Sequence, residues 1–441
     1  MSKKVFLKNF GCQMNVRDSE FVAGILVDRG YALSGSIEDA DVILFNSCSV
    51  RKHAEERLFS NIGELNRLKK KRPRLVIGLM GCTAQSYKEK ALERAPMLDL
   101  VCGPGNEHDI PGLLDDVIKN RCAIVAADKV NDKRPEISTK YRAGNFKAYV
   151  SISEGCNNFC SYCVVPYVRG RERSRDAKDI VREVKDLAGK GFKEITLLGQ
   201  NVNSYGLTTN NKKQTTEFIR LLRLLDAVKG IERIRFMTSH PKDAGADLFK
   251  ATRDLKKVCE HLHLPLQSGS DRILGLMNRR YTAKKYMRLT EAYRKYLPEG
   301  SITTDIIVGF PSETETDFKK TFRLIKEIGF DSAFTFKYSP RPPAISARLK
   351  DDVPAKVKER RLAGIIKLQT EVSGLRNQAL IGSTVEVLVD GHNRKDPDAL
   401  SGRTRTNKTV VFSGDRGLIG RFVNILIDSA TPYALKGRMV L

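Results

Sequence analysis

Six of the nine cysteines stand just past stretches that read as β-strands. Cys12 ends "KVFLKNFGC", Cys48 ends "ADVILFNSC" and Cys82 ends "RLVIGLMGC". Cys156, Cys160 and Cys163 share the nine residues "GCNNFCSYC", after a strand expected over Ala148–Ser153. In parallel sheets and parallel barrels, the crevice beyond the C-terminal strand ends is where ligands bind. Such a chain is constrained to end its strands side by side, once in each of two regions.

The rest of the pattern agrees. Residues 1–127 alternate apolar runs with amphipathic stretches. A helix is expected over Ser19–Arg29, with Phe21, Val22, Ile25 and Leu26 on one face, and another from beyond Cys48 through about Lys70. "LDLVCGPG" reads as a fourth strand and Ile110–Lys119 as a helix. This alternation predicts an open parallel α/β sheet. Residues 128–145 are polar and aperiodic, and read as a linker.

A second alternation fills 146–374. Further strands are expected at Glu194–Leu198, Ile234–Thr238, His261–Leu266, Ser301–Val308 and Ser332–Tyr338. Helices are expected at Asp179–Lys190, Glu217–Val228, Lys284–Tyr296, Thr314–Ile328 and Lys356–Gly374. Six strand–helix units, against the eight of a complete barrel, predict a partial (β/α)6 barrel. Residues 375–441 switch to period two with glycine and asparagine turns, which predicts a small antiparallel β-barrel.

Lysine and arginine number 77 against 52 acidic residues, a formal charge of +25. That excess suits a polyanion such as nucleic acid; a lysine-rich soluble surface is the other reading. No apolar run is long enough to span a membrane, and the basic start lacks the apolar stretch of a secretion signal. A cytoplasmic protein is expected, in which clustered cysteines bind metal or do chemistry.

The spacing C-x3-C-x2-C supplies three thiolates, with no fourth cysteine or histidine close by. Structural zinc fills four positions, so a zinc site here would have to borrow a distant ligand. A four-iron–four-sulfur cube held by three thiolates keeps one iron open for a small molecule. The spacing after strand one of a partial barrel resembles the radical S-adenosylmethionine enzymes. That resemblance implies that the open iron chelates S-adenosylmethionine and that an electron from the cluster cleaves it to a 5′-deoxyadenosyl radical. Cys12, Cys48 and Cys82, at equivalent strand ends, argue for a second cluster; three buried apolar fillers is the alternative.

"FGCQMNVRDSE", "NSCSVRKHAEERLFSNIGEL", "GLMGCTAQ" and "SEGCNNFCSYCVVPYVRGRERSR" together resemble the radical methylthiotransferases. "GCQMN" and "SCSVR" favour the branch that acts on N6-dimethylallyladenosine in tRNA. The last segment is similar to that family's TRAM domain. The resemblance implies two S-adenosylmethionine molecules per turnover. One methylates a sulfide on the Cys12/Cys48/Cys82 cluster; the other supplies the radical that activates carbon 2 of the adenine 3′ of the anticodon. It also implies a tRNA anticodon stem-loop, an electron donor protein and a sulfur source as partners, and a monomer. Related enzymes act on threonylcarbamoyl-adenosine or on a ribosomal protein, and a non-catalytic iron–sulfur RNA-binding protein is the reading of another class. Where the family commonly has Pro-Gly-Thr after strand six, this chain has "YSPRPPAISA".

Strand ends of the partial barrel supply the cofactor-binding candidates: Gln200, Asn201, Ser239, His240, Gln267, Ser268, Asp305 and Phe310. By resemblance, Tyr162 contacts the adenine and Arg280 meets the cofactor carboxylate. Cys259, His261 and His263 alternate, yet they lead into a barrel strand, and no metal is expected there. For RNA phosphates the candidates are Arg169, Arg171, Arg173 and Arg175 in "VRGRERSR", and Arg403, Arg405 and Lys408 near one turn of the C-terminal barrel. A solvated basic loop is the alternative for the arginine run.

Overall fold

The computed structural model describes residues 2–49, 52–127, 141–206, 216–393 and 395–440. Most of the expected linker, residues 128–140, lies outside the described residues. The chain forms two compact units. The first comprises 1–144, 149–173 and 341–347; the second comprises 145–148, 174–340 and 348–441.

The first unit is built on a six-stranded sheet: β1 (Lys4–Phe10), β2 (Ala32–Leu33), β3 (Val42–Ser47), β4 (Val76–Met80), β5 (Leu100–Cys102) and β6 (Ile124–Ala126). The order is β2-β1-β3-β4-β5-β6 and every pairing is parallel. Strand alternation feeds two cores. Val42 and Leu44 face the helices Gln13–Asp28 and Ile110–Asn120 through Val22, Leu26, Ile110 and Leu114. Ile43 and Phe45 face the helix Lys52–Glu64 through Leu58 and Ile62. β3 is buried along its whole length, as a sheet covered on both faces requires. Two strands exceed the four expected, and the first helix starts at Gln13 rather than Ser19. The helix expected to run through Lys70 is interrupted, with a second one over Asn66–Lys71.

β7 (Lys147–Ser151) crosses the division between the units, and short strands β8 (Ser153–Glu154) and β9 (Arg173–Ser174) follow. The second unit carries β10 (Glu194–Leu198), β11 (Arg233–Met237), β12 (His261–His263), β13 (Ser301–Val308) and β14 (Ser332–Lys337). All six expected strands are present, though β12 ends at His263 rather than Leu266 and β7 runs over Lys147–Ser151 rather than Ala148–Ser153. They hydrogen-bond as two three-stranded sheets, β11-β10-β7 and β12-β13-β14, in consecutive order. Ser239 N–H to the His263 carbonyl (3.1 Å) and Cys259 N–H to the Ile234 carbonyl (2.9 Å) link β11 to β12.

After the helix Ala355–Gln378, β15 (Thr384–His392), β16 (Ala399–Thr404), β17 (Thr409–Ser413), β18 (Phe422–Ala430) and β19 (Leu435–Val440) close a barrel in the order β15-β16-β17-β19-β18. Closure leaves no free sheet edge. It is not purely antiparallel: β17 and β19 pair in parallel, and the other four pairings are antiparallel. Val387, Val389, Leu400, Val410, Phe412, Ile425 and Leu435 fill the interior.

The β16–β17 turn ties this barrel to the strand starts of the same unit. Arg235, near the start of β11, donates to the carbonyls of Thr404 (2.7 Å) and Arg405 (2.8 Å). Ser301, first in β13, donates to the Thr406 carbonyl at 2.7 Å. Lys408 reaches Asp331 (2.7 Å) and Asn377 (2.9 Å).

Candidate active site

In the first unit, a polar network sets the strand ends that carry Cys12, Cys48 and Cys82. The Cys12 N–H and thiol both donate to Asn15 Oδ1, each at 3.2 Å. Asn15 Nδ2 donates to Asn46 Oδ1 (2.8 Å), and Asn46 Nδ2 returns to the Asn15 carbonyl (2.9 Å) and to Ser19 Oγ (3.1 Å). Ser19 in turn donates to Asn9 Oδ1 at 2.6 Å. The backbone N–H of Cys48 bonds the Phe10 carbonyl at 3.1 Å, which seats β3's cysteine beside β1's strand end. Gly81, with φ +86°, opens the turn to Cys82; a Cβ there would meet Asn46 Oδ1 at 2.2 Å. Only glycine suits that position.

The thiols interact. A hydrogen bond with Cys48 is the main cause that pulls the Cys12 thiol down to about 6; burial opposes it and the Arg169 charge assists. Burial pushes the Cys82 thiol up, against the attraction of Arg169. Arg169 Nε donates to Cys82 Sγ at 3.2 Å, and Nη2 bonds Asp18.

The second cysteine set belongs to the same unit. Gly155, with φ +76°, packs so closely that a Cβ would meet the Arg171 carbonyl oxygen at 2.2 Å. The Cys156 N–H bonds the Gly170 carbonyl (3.1 Å) and the Cys163 N–H bonds the Cys160 carbonyl (2.9 Å). Burial pushes the Cys156 thiol up to about 11. Val164 and Val168, just past the loop, pack with Ala344 against Cys82. The departing loop after β14 is the third member of this cluster. Its Ser346 N–H bonds the Ser161 carbonyl (2.7 Å), and Arg341 pairs with the buried carboxylate of Glu55 at 2.6 Å. "YSPRPPAISA" is thus a strap over the cysteines, a role its sequence did not disclose.

Each set has two buried thiols and one that reaches the surface, Cys12 in one and the half-buried Cys163 in the other, and with a guanidinium on Cys82 they suit an anionic iron–sulfur cluster. Among the described residues, no three Cys, His, Asp or Glu side chains surround a single ion, Cys259, His261 and His263 included. A cube takes one protein thiolate per iron, so its ligands need not converge on a point. His261 Nε2 and His263 Nδ1 each lie 2.9 Å from the Thr303 hydroxyl instead.

In the second unit, the strand-end candidates divide. Buried atoms without a hydrogen-bond partner among the described residues are Gln200 Oε1, Asn201 Oδ1, Ser239 Oγ, His240 Nε2 and Gln267 Oε1. These five polar atoms, beyond three successive strands, could meet a polar ligand, and each is costly if left unmet. The hydroxyls and amino group of a nucleoside cofactor match such a set. His240 Nδ1 accepts from the Lys242 N–H at 3.1 Å, which puts the ring proton on Nε2. Burial, with the charges of Arg279 and Lys242, keeps this ring neutral. Asp305 lies on β13 with His263 Nε2 at 3.5 Å. Arg280 is exposed with φ +54°, and Tyr162, in the first unit, is half-buried.

The other candidates have protein partners of their own. Ser268 is consumed by its own turn, bonded to the Ser270 N–H (3.2 Å) and near Thr321 Oγ1 (3.3 Å). Phe310 is fully buried against Tyr338, with ring centroids 5.2 Å apart, and acts as core. The four arginines of the run have different surroundings. Arg169 is buried at Cys82, Arg173 lies 3.9 Å from Glu154, and Arg175 pairs with Glu183 at 2.7 Å; Arg171 is exposed, 5.6 Å from the Phe159 ring centre. Arg405 and Lys408 point inward to Glu260 and Asp331, and Arg403 bonds the Asn407 carbonyl at 3.0 Å. For Arg169, Arg405 and Lys408, carboxylates distant in sequence decide the direction, and no local pattern announces it.

The chain matches the radical SAM superfamily over residues 150–325, the uncharacterized protein family UPF0004 over 4–103 and the TRAM domain over 378–440. It is 46% identical to the tRNA-2-methylthio-N(6)-dimethylallyladenosine synthase of Thermoanaerobacter sp. (strain X514), over 98% of this chain and 92% of that one. It is 45% identical to the synthase of the same name from Moorella thermoacetica, over 100% and 99%. Among solved structures, the radical S-adenosylmethionine methyltransferase TsrM from Kitasatospora setae, with cobalamin and a [4Fe-4S] cluster bound, aligns with TM-score 0.56 and 14% identity. That alignment covers 78% of this chain and 77% of TsrM. The cobalamin-dependent radical enzyme OxsB aligns at 0.51 and 13%, over 82% and 57%. These two likenesses concern the fold. No helix among the described residues is long and apolar enough to cross a membrane.

Proposed function

The chain belongs to the family of the tRNA-2-methylthio-N(6)-dimethylallyladenosine synthases, and on that premise we propose that it adds a methylthio group to carbon 2 of N6-dimethylallyladenosine in tRNA. The observation that carries this reading is the gathering of both cysteine sets in one compact unit, tied by Arg169 and by the strap 341–347. A radical enzyme with a single cluster has no need of the second set.

Two four-iron–four-sulfur clusters and S-adenosylmethionine, when bound, supply the reducing electron, the radical source and the methyl and sulfur donors. Cys156, Cys160 and Cys163 hold one cluster; Cys12, Cys48 and Cys82 hold the other. Gln200, Asn201, Ser239, His240 and Gln267 hold the nucleoside cofactor, with Arg280 at its carboxylate and Asp305 beside it. The neutral His240 gives a hydrogen bond rather than a charge. Arg171 remains a candidate for the RNA backbone.

The substrate base belongs to the anticodon stem-loop, where an unstacked base is accessible to such a site. We place the domains at 1–127, 146–374 and 375–441, with 128–145 linking the first two. The protein acts as a cytoplasmic monomer with an electron donor protein and a separate sulfur source. Mass spectrometry of tRNA nucleosides from cells with and without this chain tests the reading. Loss of the 2-methylthio mark on the dimethylallyl nucleoside supports it. An unchanged mark together with loss of methylthiolation on threonylcarbamoyl-adenosine or on a ribosomal protein overturns it.

A further inference from the structure

We propose that Arg169 is a positioning residue for the cluster held by Cys12, Cys48 and Cys82, giving hydrogen bonds to its sulfur and so setting how readily it accepts an electron. This rests on the reading that those three cysteines hold a cluster.

Arg169 is 3% exposed, although it stands in a run of arginines that otherwise reach the surface. Its place is fixed from both sides. The helix Val165–Val168 precedes it, and the Arg169 N–H bonds the Val165 carbonyl at 2.8 Å. Val168 packs with Val164 on Cys82 itself. The segment that carries Cys156, Cys160 and Cys163 therefore delivers a cation to the other cysteine set.

The guanidinium is divided three ways. Nε donates to Cys82 Sγ at 3.2 Å, Nη2 bonds Asp18, and Nη1 is buried with no hydrogen-bond partner among the described residues. A buried donor left unmet is costly and rare. A cluster sulfide, when the cluster is bound, would supply the acceptor that Nη1 otherwise lacks. Burial also excludes the phosphate contact that the surrounding basic sequence suggests.

Hydrogen bonds to sulfur and net charge both tune the potential of an iron–sulfur cluster. A cation stabilises the reduced form, which carries one more negative charge, and so raises the midpoint potential. Asp18 offsets part of that charge. The two residues thus pull the potential in opposite directions, whereas a purely structural pair would not.

The test uses the full chain with Cys156, Cys160 and Cys163 changed to alanine, anaerobically reconstituted, so that one cluster reports. Its midpoint is read by redox titration with electron paramagnetic resonance, for this parent and for Asp18→Asn, Arg169→Lys and the double change Asp18→Asn with Arg169→Gln. Asp18→Asn is expected to raise the midpoint. The double change is expected to fall below Asp18→Asn by about 59 mV, a tenfold loss of reduced fraction for a one-electron couple. Arg169→Lys, which keeps charge but loses the fork, should fall between the parent and a full loss. If the double variant does not fold, Arg169→Lys decides: a midpoint equal to the parent's overturns the role of the Arg169 fork. An unchanged midpoint in Asp18→Asn, or equal midpoints in the single and double variants, overturns the role of Arg169. A parent that holds no iron overturns the cluster assignment beneath it.

Discussion

Arg405, in the β16–β17 turn, grips Glu260 with two nitrogens, Nη2 at 2.6 Å and Nε at 2.8 Å, and gives a further bond to the Val258 carbonyl. The pair ties the C-terminal barrel to the residue that leads into β12. Its side chains are 27% and 29% exposed, so water screens the pair only in part. Arg405→Ala is expected to cost about 1–3 kcal/mol of stability, the usual loss when a charged hydrogen-bond partner is removed from a half-buried site. Denaturant titration measures it, and tRNA affinity of the folded fraction should hold. Weaker tRNA binding at unchanged stability would return Arg405 to the RNA surface.

Iron content separates the two cysteine sets. The reconstituted chain should hold about eight irons, and the Cys156/Cys160/Cys163→Ala variant about half of them. Iron and sulfide analysis decides. Loss of all iron in that variant would mean that the sets are not independent, despite separate backbone supports.

Single changes Cys12→Ala, Cys48→Ala or Cys82→Ala should abolish methylthiolation and leave some cleavage of S-adenosylmethionine to 5′-deoxyadenosine. Both products are read by liquid chromatography with mass spectrometry. Methylthiolated tRNA formed at the normal rate would remove these cysteines from sulfur transfer.

The metal-free protein should show two very different thiols. Cys12, pulled down to about 6 by its bond with Cys48 and by Arg169, becomes thiolate as pH rises through that value. Cys156, pushed up to about 11 by burial, stays protonated far longer. Since thiolate is the nucleophile, iodoacetamide labelling of Cys12 should level off above pH 7 while Cys156 remains slow at pH 9. Peptide mass spectrometry across the pH series checks this. A Cys12 rate still climbing at pH 9 contradicts the Cys48 bond.

His240 offers its Nε2 proton as a neutral donor. His240→Phe should raise the KM for S-adenosylmethionine about tenfold, the worth of one hydrogen bond to a polar ligand group. Because its ring is held neutral, His240 should contribute no titration near pH 6.5 to the parent's activity profile. Unchanged KM would remove His240 from the cofactor.

The placement of Cys12, Cys48 and Cys82 just past strand ends was legible because each follows a run of apolar strand residues. Strands β2 and β6 were not, since two or three residues carry no periodicity. The early start of the first helix was hidden because Asn15, Asp18, Ser19 and Glu20 are buried polar residues, which no apolar stripe reveals. Basic residues were the least legible. Arg169, Arg405 and Lys408 look like a phosphate surface in sequence, but Asp18, Glu260 and Asp331 turn each of them inward.

The central claim is that two cysteine-held clusters in one unit put a methylthio group on a prenylated adenine of tRNA. The most direct measurement incubates the reconstituted chain with S-adenosylmethionine, a reductant and tRNA bearing N6-dimethylallyladenosine, then digests the tRNA and weighs its nucleosides. The account predicts the 2-methylthio derivative of that nucleoside together with 5′-deoxyadenosine, and neither with tRNA lacking the dimethylallyl group. Release of 5′-deoxyadenosine with no methylthiolated nucleoside, from protein holding both clusters, would contradict it.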